Sequence, residues 1–431
     1  MIEDTNRLVL GEFPIPTNKY HNLMVKAYRK LYAGTGAGAE MRDWIFWPEV
    51  YLKSEEYRRL KKTAKRIQED NDVVIVIGIG GSYLTPQMVI HSEFGEFYNE
   101  IAEENDLPKI YFLGCDLSPD RFEEIRAMIY KKDFSIIYIS KSGGTMEPAL
   151  SFRMMWAELF GRYGNEANKR VFTITDPKKG ILRAMTNEHG WESFTIPNGI
   201  GGRYSGLTAC GLLPSEVAGI CTEDLLEGAV EAMDDCKYNL DSFAARYAEW
   251  RYYNYAELGN RVEFFATNTP YLSYTSEWLK QLFAESEGKD GKGILPTSGV
   301  FPTDLHSLGQ FLQDGTRNLI FETFIIRNFL FNIKIPEIDL KDNLDKRTGK
   351  YFNQACAAAM DGVYRAHTEG GNPCAKIFVQ EWTNAIGALM YYMFVACSTY
   401  CYMLDVNPFD QPGVENHKAN MKTSPEWDKN L

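Results

Sequence analysis

The sequence predicts an α/β protein with two doubly wound parallel sheets and a C-terminal helical segment that packs back across them. Three observations predict this class. Short β-branched runs alternate with helix-forming stretches, two of these runs end in glycine clusters, and a second alternating series follows a turn-rich loop near residue 200. Because parallel strands need long crossover connections, this alternation favours sheets covered by helices on both faces. With 431 residues, the chain is long enough for several cores.

The N-terminal half contains the clearer strand pattern. Residues 1–50 are rich in aromatic residues and helix formers, so we expect a helical segment there. Residues 51–195 form the first predicted α/β domain, which opens with a charged helix over Ser54 to Asp70 that Ser54 caps. Its expected strands are Val73–Gly80, Lys109–Asp116, Phe134–Ser140 and Arg170–Asp176.

The second predicted domain covers residues 196–380 and begins at the loop "IPNGIGGRYSGL". Its clearest expected strands are Arg261–Thr267 and Asn318–Arg327. The stretches "SEWLKQLFAESEG" and "TDLHSLGQFLQDG" between them favour helices. Residues 381–431 then form the C-terminal helical segment.

The uncharged stretch from Ala385 to Leu404 is long enough to span a bilayer. Glu381 and Asp405 flank it without a nearby Lys or Arg, and it contains several Tyr, Ser and Thr residues. We therefore predict the central helix of a large soluble protein and no membrane partner.

Composition excludes several classes of protein. The net charge of −12 argues against nucleic acid as the main partner, and the N-terminus lacks the apolar core of a signal peptide. The eight cysteines form no C-x-x-C motif, which is typical of thiols in a reducing cytoplasm. The six histidines have no ligand spacing with one another or with the cysteines, so we expect no structural zinc.

The glycine cluster "GIGGSYLTP" raises the question of a phosphate site. Gly78 and Gly80 fit a dinucleotide fingerprint, but Tyr83 occupies its third glycine position. No Lys follows Gly81, as a triphosphate-binding loop requires. Taken alone, this loop leaves open a tight turn without a ligand and a phosphate or sugar site.

The second cluster, "ISKSGGTMEP", favours phosphate. Ser140, Ser142 and Thr145 fall within six residues at the start of a predicted helix, where hydroxyls, amides and the helix dipole favour an anion. A capped helix start uses the same residue types but needs only one hydroxyl. Lys141 either adds charge or points to solvent.

Six motifs occur in an order that matches a known family. They are "GIGGSYLTP", "SKSGGTMEP", "NGIGGRYSGL", "ESEGKDGKG", "TDLHSLGQ" and "FDQPGVENHK". Over nearly its whole length the chain resembles the bacterial branch of the glucose-6-phosphate isomerase family. The resemblance implies two sugar-isomerase (SIS) domains, a homodimer, and reversible conversion of glucose 6-phosphate to fructose 6-phosphate without metal or nucleotide. Two residues depart from the family pattern: Gly144 replaces a usual Thr, and Gly206 a larger residue.

The resemblance assigns the catalytic base to Glu285, which moves a proton between C2 and C1 through a cis-enediol. Glu287 is the rival, and a solvated charged loop is the plainer interpretation of this stretch. Arg203 matches the family's arginine that stabilises the developing negative charge.

Ring opening is assigned by the same resemblance to His306 and Lys418, with His417 as a competing candidate. Thr303 or Asp304 is expected to cap a helix that His306 begins. In the family this histidine comes from the other subunit, so the active site would be shared.

The remaining assignments concern substrate binding. Gly81 and Ser82 are expected to contact the sugar, and Glu147 to hold Arg203 or the sugar hydroxyls. Gln281, one turn before Glu285, is expected on the same helix face. The phosphate and pocket contacts are assigned to Ser140, Lys141, Ser142, Thr145 and Gln411.

Two other classes of protein compete with this interpretation. A non-catalytic SIS-type sensor would keep the phosphate cradle but lose the base, the arginine or the lysine, all of which are present here. A nicotinamide oxidoreductase is disfavoured by Tyr83.

Overall fold

Two five-stranded sheets carry the fold in the computed structural model, which describes residues 7–338, 340–344 and 346–428. The strands are β1 Val9–Glu12, β2 Val73–Ile77, β3 Lys109–Leu113, β4 Phe134–Ile139, β5 Val171–Thr175, β6 Glu192–Thr195, β7 Val262–Thr267, β8 Leu295–Val300, β9 Ile320–Arg327 and β10 Cys374–Val379.

Helices surround both sheets. They are α1 His21–Ala33, α2 Trp47–Leu52, α3 Glu55–Asp70, α4 Gly81–Phe94, α5 Tyr98–Glu104, α6 Pro119–Met128, α7 Met146–Tyr163, α8 Ile181–His189, α9 Ala209–Val217, α10 Thr222–Tyr238, α11 Phe243–Ala256, α12 Ser273–Glu287, α13 Gly309–Asp314, α14 Phe352–Glu369, α15 Thr383–Met403 and α16 Glu415–Lys422.

The first sheet is wholly parallel, with strand order β3-β2-β4-β5-β6. All residues of β2 and β4 are buried, because helices cover both faces of the sheet. The chain runs outward from β2 in one direction to β3 and in the other through β4. This reversal makes the carboxyl ends of β2 and β4 the switch point where doubly wound sheets bind ligands.

The second sheet has the order β1-β10-β9-β7-β8, in which β7 to β10 are parallel. Together the two sheets confirm the predicted fold class. The expectation of a helical N-terminal segment is wrong at Val9–Glu12, since this stretch pairs antiparallel with β10. Pro14 and Pro16 follow it closely and disfavour helix in the residues before them. The domain boundaries themselves stay predictions.

Helix α15 forms the centre of the molecule, as predicted. In the described chain it is the one helix that passes the length and hydropathy test for a membrane span, and its apolar stretch is completely buried inside the fold. Gly228 of α10 and Gly387 of α15 allow the two helices to approach closely. A Cβ at Gly387 would lie 1.8 Å from the Leu225 carbonyl oxygen, and one at Gly228 1.9 Å from that of Asn384.

Two helix starts were predicted from capping residues, and the structure confirms one of them. Ser54 caps α3 as predicted, because its Oγ accepts a hydrogen bond from the Tyr57 amide. The predicted helix start at His306 is wrong. Residues Thr303–His306 form a short 3-10 turn, and α13 begins only at Gly309. Asp304 caps no helix, because its carboxylate accepts a hydrogen bond from the Val300 amide at the end of β8.

Candidate active site

The glycine loop after β2 lies against two other segments at the switch point. Gly80 has a φ of +58°, and a Cβ there would lie 2.7 Å from the Gln281 side-chain nitrogen on α12. A Cβ at Gly81 would lie 2.1 Å from the carbonyl oxygen of Gly202. Glycine is therefore required for the loop to touch both α12 and the residue before Arg203.

The hydroxyl-bearing loop after β4 forms a cradle at the N-terminus of α7. Ser140 Oγ accepts a hydrogen bond from the Gly143 amide at 3.0 Å, and Ser142 Oγ accepts one from the Gly144 amide at 3.1 Å. Both hydroxyls keep their protons for donation to an anion. Thr145 occupies the N-cap position of α7 without capping it through its side chain. This arrangement suits a phosphate monoester.

Lys141 takes neither of the orientations expected from the sequence. Its Nζ donates to the carbonyl oxygens of Asn198 at 2.9 Å and Ile200 at 3.0 Å. Burial lowers the pKa of this ammonium, against the opposing effect of Asp176. The contact fastens the cradle to the loop that leads into Arg203.

Glu285 lies between a glutamine and an arginine. Gln281 Nε2 donates to Glu285 Oε2 at 3.0 Å, so the two side chains share a face of α12. Arg203 Nη1 lies 3.5 Å from Glu285 Oε1. The Arg203 side chain is 3% exposed, whereas that of Glu285 is 27% exposed. The carboxylate is thus held from two sides and open to a ligand.

Two segments of chain hold the Arg203 guanidinium. Its Nε donates to Ser286 Oγ at 2.7 Å. Its Nη1 donates to Gln411 Oε1 at 3.1 Å, and its Nη2 donates to the carbonyl oxygens of Pro408 at 2.7 Å and Asp410 at 3.1 Å. These contacts orient a fixed positive charge beside Glu285.

One predicted partner of Arg203 is absent from this set. Across the described part of the chain, Glu147 is not a hydrogen-bond partner of Arg203; it lies half-buried in the first turn of α7. Ser286, which does bind Arg203, was missed in the sequence because a hydroxyl beside the proposed base has no distinctive pattern.

The rival carboxylate, Glu287, faces away from this site. It is fully buried, accepts a hydrogen bond from Arg251 Nη2 at 2.7 Å, and is approached by the Ile294 amide. Burial raises the pKa of Glu287 to about 8, although Arg251 opposes the shift. Arg251 also pairs with Glu263. Glu287 therefore anchors the end of α12. The charged loop begins only after it and covers residues 288–293, where Gly288, Asp290 and Gly291 are exposed.

His306 and Lys418 are not brought to this cluster. Among the described residues, neither contacts Arg203 or Glu285. His306 is exposed at the end of its 3-10 turn. Lys418 Nζ pairs with Glu415 at 2.9 Å on α16, a helix without buried residues, which also carries His417.

The two departures from the family pattern differ in their surroundings. A Cβ at Gly144 meets only Ser142 Oγ at 3.7 Å and the Ile181 methyl at 3.9 Å, so a side chain fits there. A Cβ at Gly206 would lie 2.5 Å from both the Met390 Cε and Thr85 Cγ2 atoms. Neighbouring side chains already occupy the space that a larger residue would need.

Metal ligands do not converge here. Within the described ranges, no group of three or more His, Cys, Asp or Glu side chains could hold a metal ion.

The doubly wound sheets, the hydroxyl cradle at the switch point and the adjacent Glu–Arg pair place the chain in the SIS class of phosphosugar isomerases. A model of the phosphoglucose isomerase family matches residues 53–424. The chain belongs to that family.

Curated relatives agree with this assignment. A glucose-6-phosphate isomerase of Limosilactobacillus reuteri is 43% identical over 398 residues, which cover 91% of this chain and 88% of the relative. A glucose-6-phosphate isomerase of Fusobacterium nucleatum is 42% identical over 400 residues, which cover 92% of this chain and 89% of the relative.

Solved structures agree in fold. A hypothetical protein of Thermus thermophilus matches with a TM-score of 0.84 and 26% identity, covering 94% of this chain and 95% of that one. A glucose-6-phosphate isomerase of Chlamydia trachomatis matches with a TM-score of 0.74 over 95% of this chain and 86% of that one; its 17% identity shows the fold alone.

Proposed function

We propose that this protein interconverts glucose 6-phosphate and fructose 6-phosphate. The observation that carries the proposal is the half-open Glu285 carboxylate, held by Gln281 and Arg203 beside a phosphate cradle. The curated relatives named above are glucose-6-phosphate isomerases. The reaction belongs to glycolysis and gluconeogenesis, and we place the protein in the cytoplasm, consistent with its eight free cysteines.

Binding begins at the cradle in this proposal. The hydroxyls of Ser140, Ser142 and Thr145 hold the phosphate at the N-terminus of α7, where the helix dipole favours the anion. Gly81 and Ser82 then contact the sugar, since their loop follows the strand beside β4 and approaches Gln281 on α12. Lys141 acts by holding the loop before Arg203, and Glu147 contacts sugar hydroxyls.

The chemical step uses one carboxylate. Glu285 removes the proton from C2 of the open-chain sugar and returns it to C1, passing through a cis-enediol. Arg203, already fixed by four hydrogen bonds, stabilises the negative charge that develops on the substrate oxygens. Gln281 and Gln411 orient these two groups.

Ring opening requires a second copy of the chain. We assign it to His306 and Lys418, and His306 serves the partner subunit's site because it lies outside its own Glu285–Arg203 cluster. An apolar surface supports a homodimer: residues 328–338 expose several large side chains, among them Phe331 at 77%. These residues border an apolar cavity of about 570 Å³ that a second copy would cover.

The test is direct conversion. Purified protein incubated with fructose 6-phosphate and EDTA is expected to form glucose 6-phosphate, measured by nuclear magnetic resonance without a coupling enzyme. Unphosphorylated fructose is the control and should not react, because the cradle has nothing to bind. Binding of fructose 6-phosphate without turnover would instead support the non-catalytic sensor.

A further inference from the structure

We propose that Lys289 is a positioning residue for the isomerisation. It clamps the segment that holds Arg203 against the end of the helix that carries Glu285. This inference rests on the proposed function, and it concerns a residue outside the assigned binding and catalytic set.

Three acceptors surround the Lys289 ammonium. Its Nζ donates to the Ser286 carbonyl oxygen at 2.6 Å and to that of Asn407 at 2.5 Å, and it lies 3.1 Å from Asp410 Oδ1. The side chain is only 9% exposed. An ammonium has three N–H donors, so this site satisfies all of them in one geometry.

The same two segments supply the acceptors for Arg203. Ser286 Oγ, at the end of α12, binds the guanidinium Nε, and the carbonyl oxygens of Pro408 and Asp410 bind Nη2. Lys289 therefore sets the distance between the two sides of the Arg203 cage. A displacement of either side would move the guanidinium relative to Glu285, and errors of about 1 Å in such geometry can cost about 100-fold in rate.

The loop contains a matched control. Lys292 Nζ donates to the Leu404 carbonyl oxygen at 3.0 Å, so it also ties this loop to the chain after α15. Leu404 is not an acceptor for Arg203. Replacing Lys292 removes the same charge and a similar contact without touching the cage.

The experiment compares Lys289→Met with Lys292→Met. We expect Lys289→Met to lower kcat about 10- to 100-fold with KM within about threefold of the original value. Lys292→Met is expected to leave both constants within about threefold. If Lys289→Met fails to fold, Asp410→Ala removes the carboxylate arm of the clamp at a half-exposed position. It should lower kcat by at least about threefold with KM unchanged.

Ligand affinity provides a readout that simple destabilisation would not move. The first probe is a five-carbon aldonohydroxamate 5-phosphate, whose planar anion mimics the cis-enediolate; the second is sorbitol 6-phosphate, which lacks that feature. In Lys289→Met, the Kd of the hydroxamate should rise about 10- to 100-fold, and that of sorbitol 6-phosphate less than about threefold.

The outcomes separate this proposal from the proposed function. Equal losses in the two lysine variants, or unchanged hydroxamate affinity in folded Lys289→Met, would overturn the role of Lys289. A wild-type protein without turnover would refute the isomerase activity alone, since the binding comparison still reports whether Lys289 positions Arg203.

Discussion

Glu285 and Glu277 lie on the same face of α12, about two turns apart, but only Glu285 meets Arg203. Glu277 pairs with Lys280 at the surface. Glu285→Gln keeps the side-chain shape and removes the base, so we expect the isomerisation rate to fall about 10²- to 10⁴-fold. Exchange of the C2 proton with solvent should be lost, with substrate affinity within about tenfold.

Glu277→Gln is the matched control and should retain both isomerisation and exchange. Proton exchange is followed by nuclear magnetic resonance in deuterium oxide. If Glu285→Gln still exchanged the C2 proton with solvent, the base would have to be a residue other than Glu285. The burial of Glu287 against Arg251 makes it a poor replacement.

A substitution at Gly144 tests the phosphate cradle by adding a hydroxyl group to it. Its Cβ position is open, and its nearest side-chain atom is the Ser142 hydroxyl at 3.7 Å. Gly144→Thr places a further hydroxyl among Ser140, Ser142 and Thr145, so KM for fructose 6-phosphate should fall about two- to fivefold, as one added hydrogen bond permits.

Gly144→Ala is the control, since it adds only the Cβ. It separates the effect of the added hydroxyl from the effect of replacing glycine in the backbone. Steady-state kinetics should show a lower KM for the Thr variant and little change for the Ala variant. Equal values in both would place the phosphate away from this loop.

For single residues, the sequence predicted relative positions where the spacing along a helix fixes which side chains are neighbours. Gln281 and Glu285 are four residues apart in a helical pattern, and this spacing alone places them on one face of the helix. Ser286 and Lys289 carried no such signal. A serine and a lysine in a charged stretch look solvated, and only the fold gives them distant partners. These are Arg203 for the Ser286 hydroxyl, and Asn407 and Asp410 for Lys289.

Among the elements, α15 depends on the close approach of its backbone to α10. The Cβ that Ala would add at Gly387 overlaps the Leu225 carbonyl oxygen, a backbone atom that cannot rotate away. Gly387→Ala should therefore lower the free energy of unfolding by about 1–3 kcal/mol or more.

Gly362, inside α14, is the control for helix propensity. A Cβ there meets nothing within 4 Å, so Gly362→Ala should raise the free energy of unfolding by about 0.5–1 kcal/mol. Urea unfolding monitored by circular dichroism measures the free energy of unfolding of the Gly387→Ala and Gly362→Ala variants. Stabilisation by Gly387→Ala would contradict the contact between α10 and α15.

Strands were predicted where the sequence has a run dominated by apolar and β-branched residues, whereas β1, β6, β8 and β10 were missed. Apart from Ser135 in β4, the strands β2, β4 and β5 consist of apolar or β-branched residues, because both faces of the sheet are covered. β8, with the sequence "LPTSGV", is an edge strand that includes proline and glycine, and β6 has only four residues. Neither has a strand pattern strong enough to stand out.

For the whole molecule, the residues assigned to the site fall into two separate places on one chain. The cradle, Glu285 and Arg203 converge at the switch point of the first sheet, whereas His306 follows β8 at the edge of the second. The family resemblance assigned both sets of residues and placed His306 in the other subunit's site. In one chain the two sets lie apart, and their meeting across a dimer stays a prediction.

Mixed dimers test whether His306 completes a partner's site. Glu285→Gln and His306→Ala chains, each nearly inactive alone, are co-expressed with different affinity tags. In a mixed dimer with shared sites, the His306→Ala chain supplies an intact Glu285 while the Glu285→Gln chain supplies the intact His306, so one site regains full composition. Random pairing makes half of the dimers mixed, and the population should recover about a quarter of wild-type activity. Dimers purified through both tags should reach about half. If His306 instead served its own chain, every site would lack one group, and mixing would restore nothing.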